Sequence, residues 1–143
     1  MPPRIGTVLE TSLYVDDLQR SVDFYELTLG FKPVVSESTR MRTLDVTPDQ
    51  VLLLFKKGGS VKATDTPFGT IPPTDGDGQL HVAFAIPEEQ FDEWRVHLQE
   101  KGVEVESTVK WPAGGQSLYF RDPDGHLIEL KSSNWYGKEL DWR

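Results

Sequence analysis

The chain contains no cysteine. Thiolate nucleophiles, disulfides, zinc fingers and iron–sulfur clusters are therefore excluded together. Metal ligation must then rest chiefly on three histidines and 23 acidic side chains. Glu10 and His81 stand out because they lie near the start of two strand-like runs, 71 positions apart. Side chains on a strand alternate between its faces. Glu10, Ser12 and Tyr14 share one face, opposite Leu9, Leu13 and Val15. His81, Ala83 and Ala85 share another, opposite Leu80, Val82, Phe84 and Ile86. In both runs the titratable residue occupies the less apolar face, and the apolar face is left for a helix. An imidazole or a carboxylate so placed can ligate a metal or move a proton. Each can equally be an ordinary hydrogen-bonded or solvated strand residue. Of the other histidines, His97 falls on a helical pattern between Trp94 and Lys101 and reads as a surface or boundary residue. His126 follows the turn Asp122-Pro123-Asp124-Gly125 and is expected to face solvent.

The elements that must position these residues occur twice. After the first strand, Asp16-Asp17 opens a helix whose apolar residues Leu18, Val22, Tyr25 and Leu29 recur at helical spacing. Gly30 suits its C-terminal stop. An extended segment follows from Phe31, then a hairpin with strands over 40–46 and 51–55. The second set opens with the strand 80–86. Pro87, Glu88 and Glu89 suit a first helical turn, and Phe91, Trp94 and Leu98 form the apolar stripe. Gly102 ends this helix, and a strand is expected to start at Val103-Glu104-Val105. A hairpin with strands over 117–121 and 127–131 closes the chain. Each half reads β-α-β-β-β, which makes the fold class α+β. The expected organisation is a single domain over 1–143. It comprises module one over about 6–57, a Gly-, Pro- and Thr-rich linker over 58–78, module two over about 79–132 and a tail over 133–143. The linker reads as a cover over a site or as a tether. The tail aromatics Trp135, Tyr136 and Trp142 are candidates for packing on a second copy or on the chain itself.

The chain has 143 residues, with 37% apolar and 27% charged side chains, the composition of a folded domain. Each half of roughly 71 residues is small for burying a sheet alone, so the two must pair. Fifteen basic against 23 acidic residues give a net charge of −8. That surplus argues against nucleic acid or an anionic membrane as the main partner. No long apolar run marks a signal peptide or a membrane span, and cytoplasmic residence is the expectation.

The doubled β-α-β-β-β pattern resembles the vicinal oxygen chelate superfamily, which includes glyoxalase I, extradiol dioxygenases, fosfomycin-resistance thiol transferases and bleomycin-binding proteins. Three stretches carry the resemblance: LETSLYVDDLQRSVDFYELTLGF at 9–31, LHVAFAI at 80–86 and LYFRDPDGHLIEL at 118–130. The last is the most specific, because its Asp-Pro-x-Gly turn and the Glu four residues after the Gly occur together. The resemblance implies two β-α-β-β-β modules forming an open, cup-like mixed β-barrel with helices outside.

Transferred by position, the family's ligand places hold Glu10, Leu53, His81 and Glu129. Leu53 cannot bind a metal, so the implied set is Glu10, His81 and Glu129. One imidazole and two carboxylates resemble a facial triad and suit a divalent ion: Mn, Fe, Zn or Mg. The resemblance also implies roles in catalysis. Glu10 or Glu129 is the candidate base for glyoxalase-type isomerisation. Tyr119 stands ten residues before Glu129, as a Tyr does in extradiol dioxygenases, and is the candidate proton donor. Two histidines expected of a ring-cleaving enzyme are missing, one from 110–115 and one from the linker.

Tyr14, Leu53 and Phe55 are the expected wall for a partly apolar small-molecule substrate. Arg42 and Arg121, with Arg40, are candidate anchors for an anionic group. Gly114-Gly115 lacks the following helix of a phosphate loop and reads as a hairpin turn. The function implied is that of a metal-dependent enzyme of glyoxalase or dioxygenase type, lyase or isomerase included, working as a homodimer. The alternative is a non-catalytic drug-binding and resistance protein of the bleomycin-binding type.

Overall fold

The structure, a computed structural model, describes residues 1–36, 38–132, 140 and 142. Trp135 and Tyr136 lie outside the described residues. The chain divides into two compact units, one formed by residues 1–26 and 31–77, the other by 27–30 and 78–143.

The first unit follows the expected order. Strand β1 (Glu10–Val15) leads into helix α1 (Leu18–Leu29), then β2 (Lys32–Pro33), β3 (Met41–Thr47) and β4 (Gln50–Lys56). Asp17 caps the helix, its Oδ1 accepting the Arg20 backbone N–H at 3.0 Å, which satisfies a donor the first turn leaves over. The stripe Leu18, Val22 and Tyr25 is buried. Gly30 ends the helix at φ +74°, a left-handed conformation that glycine adopts without a Cβ penalty. The sheet order is β1-β4-β3-β2, with β1 parallel to β4 and the other pairs antiparallel. One face carries Leu13, Val15, Leu44, Leu52 and Leu54, each at most 1% exposed.

The second unit repeats the order. It contains β7 (His81–Ala85), a short 3₁₀ turn (Glu88–Gln90), helix α2 (Phe91–Glu100), β8 (Ser107–Lys110), β9 (Gln116–Arg121) and β10 (Leu127–Lys131). Its sheet order, β7-β10-β9-β8, matches the first. The helix ends in two bonds, Gly102 N–H to the Gln99 carbonyl and Val103 N–H to the Leu98 carbonyl. That glycine-centred closure turns the chain away from the helix. It also delays the next strand. Residues 103–105, expected to be extended and paired, carry no strand, and β8 starts at Ser107. Leu118, Phe120, Ile128 and Leu130 form the buried face of this sheet.

Residues 58–77, read as a cover or a tether, have local structure of their own. They carry a hairpin of β5 (Thr64–Thr66) and β6 (Gly69–Ile71). The segment is fastened to the first sheet by Tyr14 Oη with Thr74 Oγ1 at 2.8 Å, and by Gly58 N–H to Asp75 Oδ1 at 3.1 Å. Lys57 pairs with both Asp16 and Asp77. His126 does not face solvent: it is fully buried. Its Nδ1 accepts the Leu80 backbone N–H at 2.9 Å, and its own N–H donates to Asp122 Oδ1 at 2.9 Å. The aspartate of the turn therefore pulls the ring inward, where it satisfies a backbone donor. His97 is half-buried, as expected. Its Nε2–H donates to the Thr28 carbonyl at 2.9 Å, serving an acceptor of the last turn of α1.

Candidate functional site

The two sheets share more than strand order. In the first, Glu10 pairs with Val51 and Ser12 with Leu53 across β1 and β4. In the second, His81 pairs with Leu127 and Ala83 with Glu129 across β7 and β10. Glu10 and Leu53 thus hold the register positions in their sheet that His81 and Glu129 hold in theirs. Parity puts Tyr119, Ser117 and Arg121 of β9 on the Glu129 face of the second sheet.

On that face the side chains form a connected polar chain. The Leu127 carbonyl can only accept, so His81 Nδ1 carries the proton of their 3.0 Å hydrogen bond. His81 Nε2 faces Glu129 Oε1, 3.2 Å away, as an ion pair when the imidazole is protonated and as two facing donor atoms when it is neutral. Ser117 Oγ donates to Glu129 Oε2 at 2.5 Å, and the Trp111 indole N–H donates to Ser117 Oγ at 2.8 Å. Lys131 Nζ lies 4.5 Å from the centre of the Trp111 ring, a cation–π contact. Glu129 is 8% exposed at its side chain and His81 is 49% exposed, so the carboxylate is fixed and the imidazole is open to an incoming group.

The pair fits a metal. An unprotonated imidazole nitrogen and a carboxylate oxygen repel unless a proton or a cation lies between them. Two donor atoms about 2.1 Å from one ion, at angles between octahedral and tetrahedral, stand about 3.0–3.4 Å apart. The observed 3.2 Å lies in that range. The bond from Nδ1 to a backbone carbonyl and the bond from Ser117 to the carboxylate are the outer supports that orient metal ligands. Within neither unit do three His, Asp or Glu side chains gather among the described residues. Glu10 is exposed on β1 of the first unit.

The remaining candidates divide. Tyr119 is half-buried opposite Glu129, its ring centroid 6.5 Å from that of His81. Leu53, Phe55 and Glu10 are among the residues lining a cavity of about 380 Å³ in the first unit. Tyr14 lies on the same strand face as Glu10, its ring stacked with Phe55 at 5.6 Å. Arg42 is on the opposite face, paired with Leu54, and its guanidinium donates to the Ser38 and Met41 carbonyls. Arg121 is on the Glu129 face, but Glu106 Oε2 at 2.9 Å and the Gly125 carbonyl at 3.1 Å hold it. Arg40 lines the cavity instead. Ser117 and Trp111 were absent from the candidates. The parity of the closing hairpin already put Ser117 beside Glu129, whereas nothing in the sequence linked Trp111 across the turn at 112–115.

Comparison with known proteins agrees with this architecture. The family model described as the glyoxalase/bleomycin resistance protein/dioxygenase superfamily matches residues 4–130. A metallothiol transferase FosB of Staphylococcus epidermidis is 43% identical over 127 residues, covering 88% of this chain and 81% of that protein. A glutathione transferase FosA of Serratia marcescens is 32% identical over 119 residues, covering 83% of this chain and 75% of that protein. The crystal structure of a lactoylglutathione lyase from Agrobacterium tumefaciens superposes with a TM-score of 0.84 at 30% identity, covering 96% of this chain and all of that one. The expectation of a metal-dependent enzyme of glyoxalase type agrees with what these relatives are called. By its repeated register, its closing hairpin and these matches, the chain belongs to the glyoxalase/bleomycin resistance protein/dioxygenase superfamily.

Proposed function

We propose that the protein is a metal-dependent enzyme acting on a small substrate that offers oxygen ligands, with His81 and Glu129 as metal ligands from the second unit. Glu10, exposed at the matched strand position of the first unit, is the candidate base or ligand of that unit. One observation carries the reading: a half-exposed imidazole, anchored through Nδ1 to the Leu127 carbonyl, sets its Nε2 at ligand-to-ligand distance from a buried carboxylate oxygen. A bound divalent ion would act there as a Lewis acid on a substrate oxygen. His81 and Glu129 hold their donor atoms ready, Ser117 keeps the carboxylate from rotating, and Tyr119 offers a phenol proton beside the imidazole.

Thiol chemistry stands first among the reaction classes, because a metallothiol transferase, a glutathione transferase and a lactoylglutathione lyase are all similar to this chain. Ring cleavage stands behind it, since the two family histidines are missing from the sequence. The choice among Mn, Fe, Zn and Mg, a paired second copy of the chain and cytoplasmic residence belong to the same proposal.

The test is metal uptake with turnover. Chelator-stripped protein is reloaded with Mn²⁺ or Zn²⁺ and assayed for loss of free glutathione thiol against a panel of small electrophiles. About one bound ion per chain and metal-dependent thiol loss are expected. A folded protein that takes up no divalent ion and binds small drugs unchanged would favour the bleomycin-binding alternative.

A further inference from the structure

Glu129 has two carboxylate oxygens, and Oε1 is the one that faces His81. Oε2 is engaged from the other side. Ser117 has one hydroxyl proton, and its oxygen already accepts the Trp111 indole N–H at 2.8 Å. An indole nitrogen can only donate and a carboxylate oxygen accepts. The serine proton is thereby committed to Glu129 Oε2, 2.5 Å away. Trp111 is itself fixed at its backbone and at its ring. Its N–H donates to the Gly115 carbonyl and its carbonyl accepts the Gly114 N–H, both at 3.0 Å. That closure runs through Gly114 and Gly115 at φ +107° and +81°, conformations that glycine adopts at little cost. Over the ring stands Lys131 Nζ, 4.5 Å from its centre, and Lys131 is the cross-strand partner of Ser117. Ser117, Glu129 and Lys131 are all buried. Water is largely kept from offering the hydroxyl another partner.

This arrangement bears on the choice of metal. A carboxylate with one oxygen hydrogen-bonded ligates through the other. One oxygen is enough for a small ion such as Mn²⁺, Zn²⁺ or Mg²⁺. Ca²⁺ gathers about six to eight oxygens and readily takes both from one carboxylate. We infer that Trp111 is a positioning residue that sets metal preference: by committing the Ser117 proton to Glu129 Oε2, it confines ligation to Oε1 and disfavours Ca²⁺. Lys131 steadies the ring that does this. The inference deepens the proposed function and rests on its reading of His81 and Glu129 as metal ligands.

The experiment is a competition between Mn²⁺ and Ca²⁺ on chelator-stripped full-length protein, bound Mn²⁺ being followed by electron paramagnetic resonance. The parent is compared with Trp111→Phe, which keeps an aromatic ring for Lys131 and removes the N–H. The variant is expected to bind Mn²⁺ about three- to tenfold more weakly while Ca²⁺ affinity holds or rises. Simple loosening of the site would weaken both ions alike. A second readout does not depend on the folding of that variant. The Trp111 indole N–H resonance of the parent is expected to shift on Zn²⁺ loading, and the shift to be lost in Ser117→Ala. An unchanged preference between the two ions, an equal loss for both, or an indole resonance indifferent to Zn²⁺ overturns the inference while leaving the metal site standing. A parent protein that takes up no divalent ion overturns the ligand reading itself, and this inference with it.

Discussion

Ser117 Oγ donates to one oxygen of Glu129 while the other oxygen of the same carboxylate faces His81 Nε2. The serine consumes the lone pairs that point into the protein and leaves Oε1 directed at the imidazole. A carboxylate held in this way loses little rotational freedom when it binds a cation. Ser117→Ala is therefore expected to weaken Mn²⁺ binding by about tenfold. It also strips the acceptor from the Trp111 indole N–H, at a cost of about 1–3 kcal/mol in stability. Ser117→Thr, which keeps the hydroxyl, should restore metal affinity. Calorimetry and thermal unfolding on the same samples separate the two effects.

His126 is a histidine of a different kind. It is fully buried, and its ring nitrogen satisfies the Leu80 N–H next to the start of β7. His126→Ala leaves that donor without its partner and opens a cavity, an expected loss of about 2–4 kcal/mol. Thermal or urea unfolding measures it. Metal stoichiometry should remain that of the parent protein wherever the variant is folded.

Gly76 lies against the ring of Tyr14. A Cβ at that position would come within 2.6 Å of Tyr14 Cδ2, closer than side chains tolerate, and the obstacle is a ring wedged against Phe55. Gly76→Ala should therefore lift the 58–77 segment from the first sheet, costing about 1–3 kcal/mol. Faster proteolytic cleavage within that segment is the expected outcome.

The legible part of the molecule was what period and punctuation control. Alternation along 10–15 and 81–85, the helical stripes, and the glycines at 30 and 102 marked the opening strand and helix of each half and where each helix stops. Parity alone put His81, Tyr119 and Glu129 on one face of the second sheet. Long-range partners were out of reach. The inward turn of His126 depends on a backbone donor 46 residues away, and local context after a polar turn pointed to solvent. Arg42 looked like an anchor because arginine binds anions, but one step of register moves a strand residue to the other face. The hairpin in 58–77 is short and polar, and its pairing is held by threonine and aspartate contacts that carry no periodic signal.

The most direct test of the metal centre is a Mn²⁺ titration followed by electron paramagnetic resonance, run on the parent chain and on His81→Ala in parallel. His81 is half exposed, so its removal should leave the fold intact while deleting the proposed ligand. A Mn²⁺ site in the parent protein that loses affinity by about a hundredfold or more in the variant is the expected result. Equal Mn²⁺ affinity in the two proteins would contradict it.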